Sequence, residues 1–210
     1  MSESILKHAI KTTISMICFA LIGTALLVFV FQLTRDPIAQ SEAEARLDLF
    51  KQVLPENTYN NAILESVLEI PADHLLGNTQ PTKANIARMN QQAVGVILEA
   101  VAHDGYSGDI KLLIAIREDG SISGVRTLSH KETPGLGDYI DIQKDGWITL
   151  FDHASLSSIS DQLWRVKKDG GQYDYKAGAT ITPRAVVNAV HKALQYFEKN
   201  KLMLLNNGSK

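Results

Sequence analysis

Residues 93–102 read AVGVILEAVA and residues 110–117 read IKLLIAIR, two runs dense in Val, Ile and Leu that are joined through HDGYSGD at 103–109. Runs of this length, rich in β-branched residues and bounded by Gly- and Asp-containing segments, predict strands linked by a turn. The second run meets SISGVRTL at 121–128 across Glu118, Asp119 and Gly120, which is a hairpin signal. An antiparallel sheet in the middle of the chain follows.

Helical patterns flank the sheet on both sides. Toward the C-terminus, PRAVVNAVHKALQYFEK at 183–199 sets Val186, Val187, Val190, Leu194 and Phe197 on one face, with Thr182 read as the N-cap and Pro183 as the first helical position. Toward the N-terminus, QSEAEARLDLFKQV at 40–53 repeats Ala43, Leu47, Phe50 and Val53 at helical spacing and predicts an amphipathic helix that Pro55 ends. The stretch GNTQPTKANIARMNQQ at 77–92 is polar and turn-rich, so a surface loop is expected there. The expected class is α+β, an antiparallel sheet with flanking helices, without internal repeats.

Further out, residues 12–34 (TTISMICFALIGTALLVFVFQLT) carry no charged side chain. A bilayer's hydrocarbon core requires about 20 apolar helical residues, and a secretory signal's apolar region is about 7–15, so the run is read as one transmembrane helix. A buried core helix is the other reading, but such a helix seldom lacks a polar face over this length. Lys7 and Lys11 precede the span while Arg35, Arg46 and Lys51 follow it, so the count of positive charges does not choose an orientation. The expected organisation is a short N-terminal segment (1–11), the span (12–34), a helical linker and connecting region (35–90), one folded domain (91–204) and a polar tail (205–210).

Charge and residue usage exclude several classes of function. Asp and Glu number 23 against 21 Lys and Arg, and no basic tract occurs, which argues against a nucleic-acid partner. The single cysteine, Cys18, lies in the span and has no partner for a disulfide or metal site. His103, His130, His153 and His191 fall on different elements without metal-ligand spacing, so no metal site is expected. No Ser/His/Asp arrangement or carboxylate cluster points to hydrolysis.

Two loops remain. In DYKAGATITP at 174–183, Gly178 and its small neighbours lead straight into the last helix. Free N–H groups and the dipole at a helix N-terminus suit a phosphate, and Thr180 and Thr182 place hydroxyls at that mouth. Read locally, the same residues also make an ordinary capped helix start. The second loop, SHKETPGLGD at 129–138, holds Gly135 and Gly137, which permit close approach to a planar ligand or simply shape a demanding turn. Arg184, Lys176 and Lys131 are candidate phosphate partners, Arg184 being nearest the helix start, and Trp147 and Trp164 are either shields for a planar ring or core residues.

The order of these features, one N-terminal span, a sheet domain with GYSG and ETPGLGD loops, then D-x-x-x-G-A-T-x-T-P opening the last long helix, resembles the FMN-binding G subunits of Rnf-type (Rsx) electron-transport complexes over nearly the full chain. In that family a separate flavin transferase, using FAD, joins FMN through its phosphate to the threonine of a D-x-x-[ST]-[GS]-A-T segment. The matching residues are Asp174, Gly178, Ala179 and Thr180, so the resemblance implies Thr180 as the acceptor, with Thr182 secondary. Ala177 stands where many members carry Ser or Thr. Glu132, Thr133, Gly135 and Leu136 are implied to line the flavin.

The resemblance further implies a membrane-anchored flavoprotein that carries electrons inside an ion-translocating ferredoxin/NAD oxidoreductase and is not catalytic alone. Its partners would be the membrane and iron-sulfur subunits of the complex, a flavin transferase and membrane lipid. Its domain would lie on the periplasmic side of a bacterial inner membrane, and in the Rsx setting the complex keeps a redox-sensing regulator reduced. Two alternatives stay open: the C subunit of a sodium-pumping NADH:quinone oxidoreductase, which uses similar threonine-linked FMN, and a membrane-tethered binding module without a redox group.

Overall fold

The computed structural model describes residues 2–206. One helix, α1 (Ser2–Val53), contains the apolar run and continues without a break through the stretch expected to form a separate amphipathic helix. Between Ile14 and Leu33 its large side chains are exposed, Phe19 at 78% and Leu27 at 73%. The core-helix reading is thereby set aside, and α1 is a membrane-length helix suited to a single-pass anchor. Pro37 sits inside α1 and leaves the Leu33 carbonyl without its helical donor.

Residues 47–206 form a separate compact unit. Its centre is a five-stranded antiparallel meander in chain order: β1 (Val67–Ile70), β2 (Thr82–Met89), β3 (Gln92–Ala102), β4 (Ile110–Arg117) and β5 (Ile122–Ser129). Helix α2 (Ile181–Asn206) covers one face, where Val186, Val190, Leu194 and Phe197 share a core with Val96, Leu98, Leu112, Ile114 and Ile116. On the other face Phe50, Val53 and Leu54, at the end of α1, pack with Ile63 on Ala87, Ile97, Leu113 and Ala115. Burial on both faces explains why β3 and β4 read as nearly continuous apolar runs rather than alternating ones.

The structure corrects the expected loop at 77–92. Thr82–Met89 is a strand, and Asn90 and Gln91, with φ of 51° and 70°, make the two-residue turn of a tight hairpin pairing Met89 with Gln92. Its polar residues concealed it. Asn85 and Arg88 are buried, but the Asn85 amide donates to the Ile63 carbonyl at 2.9 Å and the Arg88 guanidinium to the Gln91 carbonyl at 2.8 Å. β1 lay unrecognised in the same connecting region. The polar tail expected at 205–210 lies outside the described residues from 207 onward.

The end of α1 is clamped to the sheet by Arg126 on β5, which donates to the Gln52 carbonyl at 2.9 Å and to the Gln52 side chain at 3.2 Å, satisfying a last-turn carbonyl. Gly124 lies directly beneath it, and a Cβ there would come within 2.9 Å of both Cα and O of Val53. Gly124→Val should therefore force the helix end off the sheet and cost about 1–3 kcal/mol, an overpacking penalty, read as a lowered urea midpoint of the full chain in detergent.

Candidate functional site

The site is built from three segments distant in the chain. The first is the turn before α2. Ala179 N–H donates to the Lys176 carbonyl at 3.1 Å, and Gly178 at the third position has φ +85°, a conformation that favours glycine. The Tyr139 hydroxyl staples both sides of this turn, accepting from Lys176 N–H at 3.3 Å and donating to the Ala179 carbonyl at 3.2 Å. Burial raises the pKa of Tyr139, which keeps the hydroxyl protonated as a donor. Trp147 Nε1 donates to the Asp174 carbonyl at 2.7 Å and fixes where the segment begins.

Helix α2 starts at Ile181, two residues earlier than the sequence pattern indicated. Pro183 tolerates this because the first four helical N–H groups have no intrahelical acceptor. Thr180 therefore occupies the N-cap position, half-buried, and its hydroxyl has no hydrogen-bond partner among the described residues. Thr182 is not the cap. It lies in the first turn, 1% exposed, and its hydroxyl donates to Glu132 in a short hydrogen bond.

The second segment is the loop after β5. Glu132 is 4% exposed and its carboxylate accepts from Thr182 and, at 3.0 Å, from Ser107 N–H of the third segment, the β3–β4 loop. Thr133 accepts from Leu136 N–H and Gly137 N–H, each at 3.1 Å, through its carbonyl, while Asp138 accepts from Gly135 N–H at 2.8 Å. A Cβ on Gly137 would stand 2.8 Å from Thr182 Oγ1 and 2.9 Å from Glu132 Oε2, so only glycine lets the loop close over that pair.

Between the three segments lies a cleft of about 330 Å³, lined by Tyr106, Glu132, Thr133, Leu136, Gly137, Gly178, Ala179, Thr180, Ile181 and Thr182. Most of the residues expected at the site thus meet in one place. Three do not line it. Gly135 turns the loop behind Leu136 with φ +76°. Asp174 is exposed and pairs with Lys167 at 2.5 Å. Arg184, expected as the best-placed phosphate partner, is held by Asp169 at 2.5 and 2.7 Å and lines a different cavity.

Lys176 is also engaged elsewhere, 2.6 Å from Asp145 and over the Tyr139 ring at 4.8 Å. No Lys or Arg is among the described residues lining the cleft, which offers an anion the α2 N–H groups and dipole. Trp147 and Trp164 belong to the core, packed edge-to-face on Tyr139 and stacked on His191 respectively. The aromatic side chain at the cleft is instead Tyr106, 68% exposed, with Leu136 and Ile181 as apolar neighbours on the rim. Sequence reading passed over Tyr106 because it sat in a turn, although an aromatic between two glycines with no core periodicity was a usable signal.

Removing the Thr182 hydroxyl tests this construction. Thr182→Val should leave the buried Glu132 carboxylate short of one donor and cost about 1–3 kcal/mol, whereas Thr182→Ser should retain most of the stability; tryptophan fluorescence during urea unfolding reads both, since Trp147 and Trp164 report the core.

The profile of the FMN-binding domain family matches residues 105–195, which include every residue named as lining the cleft, and that of the RnfG N-terminal region matches residues 1–53. The chain is 49% identical over 187 residues to the G subunit of the ion-translocating oxidoreductase complex of Pseudomonas aeruginosa, covering 89% of this chain and 87% of the relative. To the G subunit from Shewanella piezotolerans it is 44% identical over 206 residues, 98% of this chain and 95% of the relative. To that of Vibrio cholerae it is 38% identical over 196 residues, 93% of each chain. These relatives are G subunits, which sets aside the C subunit of a sodium-pumping oxidoreductase. A membrane-length helix followed by an FMN-binding domain, with this identity over nearly the whole length, places the chain among the G subunits of Rnf-type ion-translocating oxidoreductase complexes, the family to which it belongs.

Proposed function

We propose that the chain carries FMN as a phosphoester on Thr180 Oγ1 and relays electrons within an ion-translocating ferredoxin/NAD oxidoreductase. The observation that carries this reading is the contrast between the two threonines: Thr180 offers a hydroxyl without a partner at the helix mouth, whereas Thr182 is buried and spent on Glu132. Attachment from FAD is chemically balanced if Thr180 Oγ1 attacks the flavin-side phosphorus, the P–O–P bond breaks, and AMP leaves while the hydroxyl proton goes to solvent or to the transferase.

The residues present suit the group. The Gly178 turn leaves space for a phosphate beside Thr180, and the N–H groups opening α2 point toward it. Tyr106, Leu136 and Ile181 supply the apolar rim a flat ring system requires, and Glu132 and Thr133 supply polar groups on its inner wall. Bound there, FMN supplies the capacity to accept and release electrons. The protein holds the turn through Tyr139 and holds the opposite wall through Glu132. Because no cation lines the cleft, noncovalent hold on the phosphate is weak, and a tether compensates by keeping the local flavin concentration high.

In this reading the partners are the other membrane and iron-sulfur subunits of the complex, together with a flavin transferase during maturation. The domain faces the periplasm of a bacterial cell, α1 keeps it beside the other subunits, and electron flow is coupled to ion movement across the membrane. The Rsx-type role, keeping a redox-sensing regulator reduced, is the same electron relay directed to a different end acceptor.

Coexpressed with a flavin transferase, the chain should show in-gel flavin fluorescence after denaturing electrophoresis. Thr180→Ala should abolish the band and Thr182→Val should keep it; a fluorescent Thr180→Ala band would reject the assignment. For the orientation, alkaline phosphatase fused after Lys210 should be active in cells, and an inactive, intact fusion would place the domain in the cytoplasm.

A further inference from the structure

His103 stands at the start of the loop that carries Tyr106 and Ser107. Its Nδ1 lies 2.9 Å from Asp109 Oδ1 and its Nε2 2.7 Å from the Gly77 carbonyl oxygen. An ionised carboxylate and a carbonyl only accept hydrogen bonds, so both contacts hold together only when both ring nitrogens carry protons. The ring in this geometry is the imidazolium. Neutral imidazole has one donor and one lone pair, so it must give up either Asp109 or Gly77.

Those two contacts have a mechanical consequence. Asp109 closes residues 103–109 into a loop, and Gly77 is a firm anchor because the adjacent Leu76 carbonyl accepts from Val101 N–H at 2.8 Å on β3. Within the loop, Tyr106 lines the cleft and Ser107 N–H reaches Glu132 at 3.0 Å. The charged groups facing His103 are Asp109 and Asp104 from the loop itself, His74 from the segment after β1, and Lys192 from α2; His74, Asp104 and Lys192 line one cavity with it. The two carboxylates favour the cation, and burial opposes it. The hydrogen bond to Asp109, then that to Gly77, holds its pKa above the ordinary imidazole range.

We propose that His103 is a pH-sensitive positioning residue for the cleft: as the imidazolium it clamps the 103–109 loop to Gly77 and fixes the Tyr106 wall and the Ser107 donor, and as the neutral ring it releases them. The clamp is complete below the unfolded imidazole pKa of about 6.5 and is lost as pH rises through the higher folded value. The effect on flavin exposure rests on the function proposed above; the effect on the loop does not.

The test uses the full chain, flavinylated and in detergent micelles. Nitrogen-15 NMR should show both His103 ring nitrogens protonated at low pH, with a midpoint above the ordinary histidine value. Amide exchange of Ser107, corrected for its intrinsic pH dependence, should speed several-fold through that midpoint, and iodide quenching of flavin fluorescence should rise with it. His103→Gln should show fast exchange without a step, and Asp109→Asn should move the midpoint down. Titration at or below the ordinary value, or equal Ser107 protection on both sides of the midpoint, overturns the proposal. A Ser107 step with flat flavin quenching upholds the clamp and rejects the placement of the flavin beside Tyr106.

Discussion

The carboxylate of Glu132 is almost completely buried, and a buried carboxylate is tolerated only where donors surround it. It finds them on two other segments, the Thr182 hydroxyl in the first turn of α2 and the Ser107 amide in the β3–β4 loop. Three pieces of chain that are far apart in sequence are therefore locked at one point, and the walls of the cleft are those same three pieces. Removing one donor leaves one oxygen of a buried carboxylate without a partner, so the walls depend on one another. Gly137 follows from the same constraint, since any side chain there would occupy the space the pair needs.

The layers behind the cleft make that lock possible. With α2 on one face of the sheet and the end of α1 on the other, β3, β4 and β5 are rigid supports for the loops that leave them. The start of α2 is delivered to the cleft by the Gly178 turn and the Tyr139 staple, so its N–H groups open where Thr180 stands. Arg184 and Lys176 have carboxylate partners, Asp169 and Asp145, that do not line the cleft, and Lys131 is exposed and not among the lining residues, so the helix terminus is the positive end of the described lining. A site of this kind would orient a phosphate without gripping it, which is why a covalent attachment is proposed.

The main architecture was legible because it rested on strong local signals. Continuous β-branched runs marked β3 and β4, an acid-acid-glycine turn marked the next hairpin, and a charge-free run marked the membrane helix. β2 was not legible, since Asn85 and Arg88 are buried through partners, Ile63 and Gln91, that only the folded chain supplies, and β1 is four residues long, too short for a periodic signal. The threonine roles divided in the same way. Spacing placed both near a helix start, but which one caps and which one bonds to Glu132 depends on a residue fifty positions away. Tyr106 and Tyr139 enter the site through tertiary placement, and Arg184 leaves it because Asp169 takes its guanidinium.

The proposed division of labour between the threonines, Thr180 and not Thr182 joined to the flavin, is tested most directly by tandem mass spectrometry of the peptide spanning 174–184. The chain would be purified after coexpression with a flavin transferase. The expected peptide is heavier by FMN less one water, with fragment ions placing the adduct on Thr180. An adduct on Thr182, or an unmodified peptide from a preparation in which the transferase is shown to be active, would contradict the assignment.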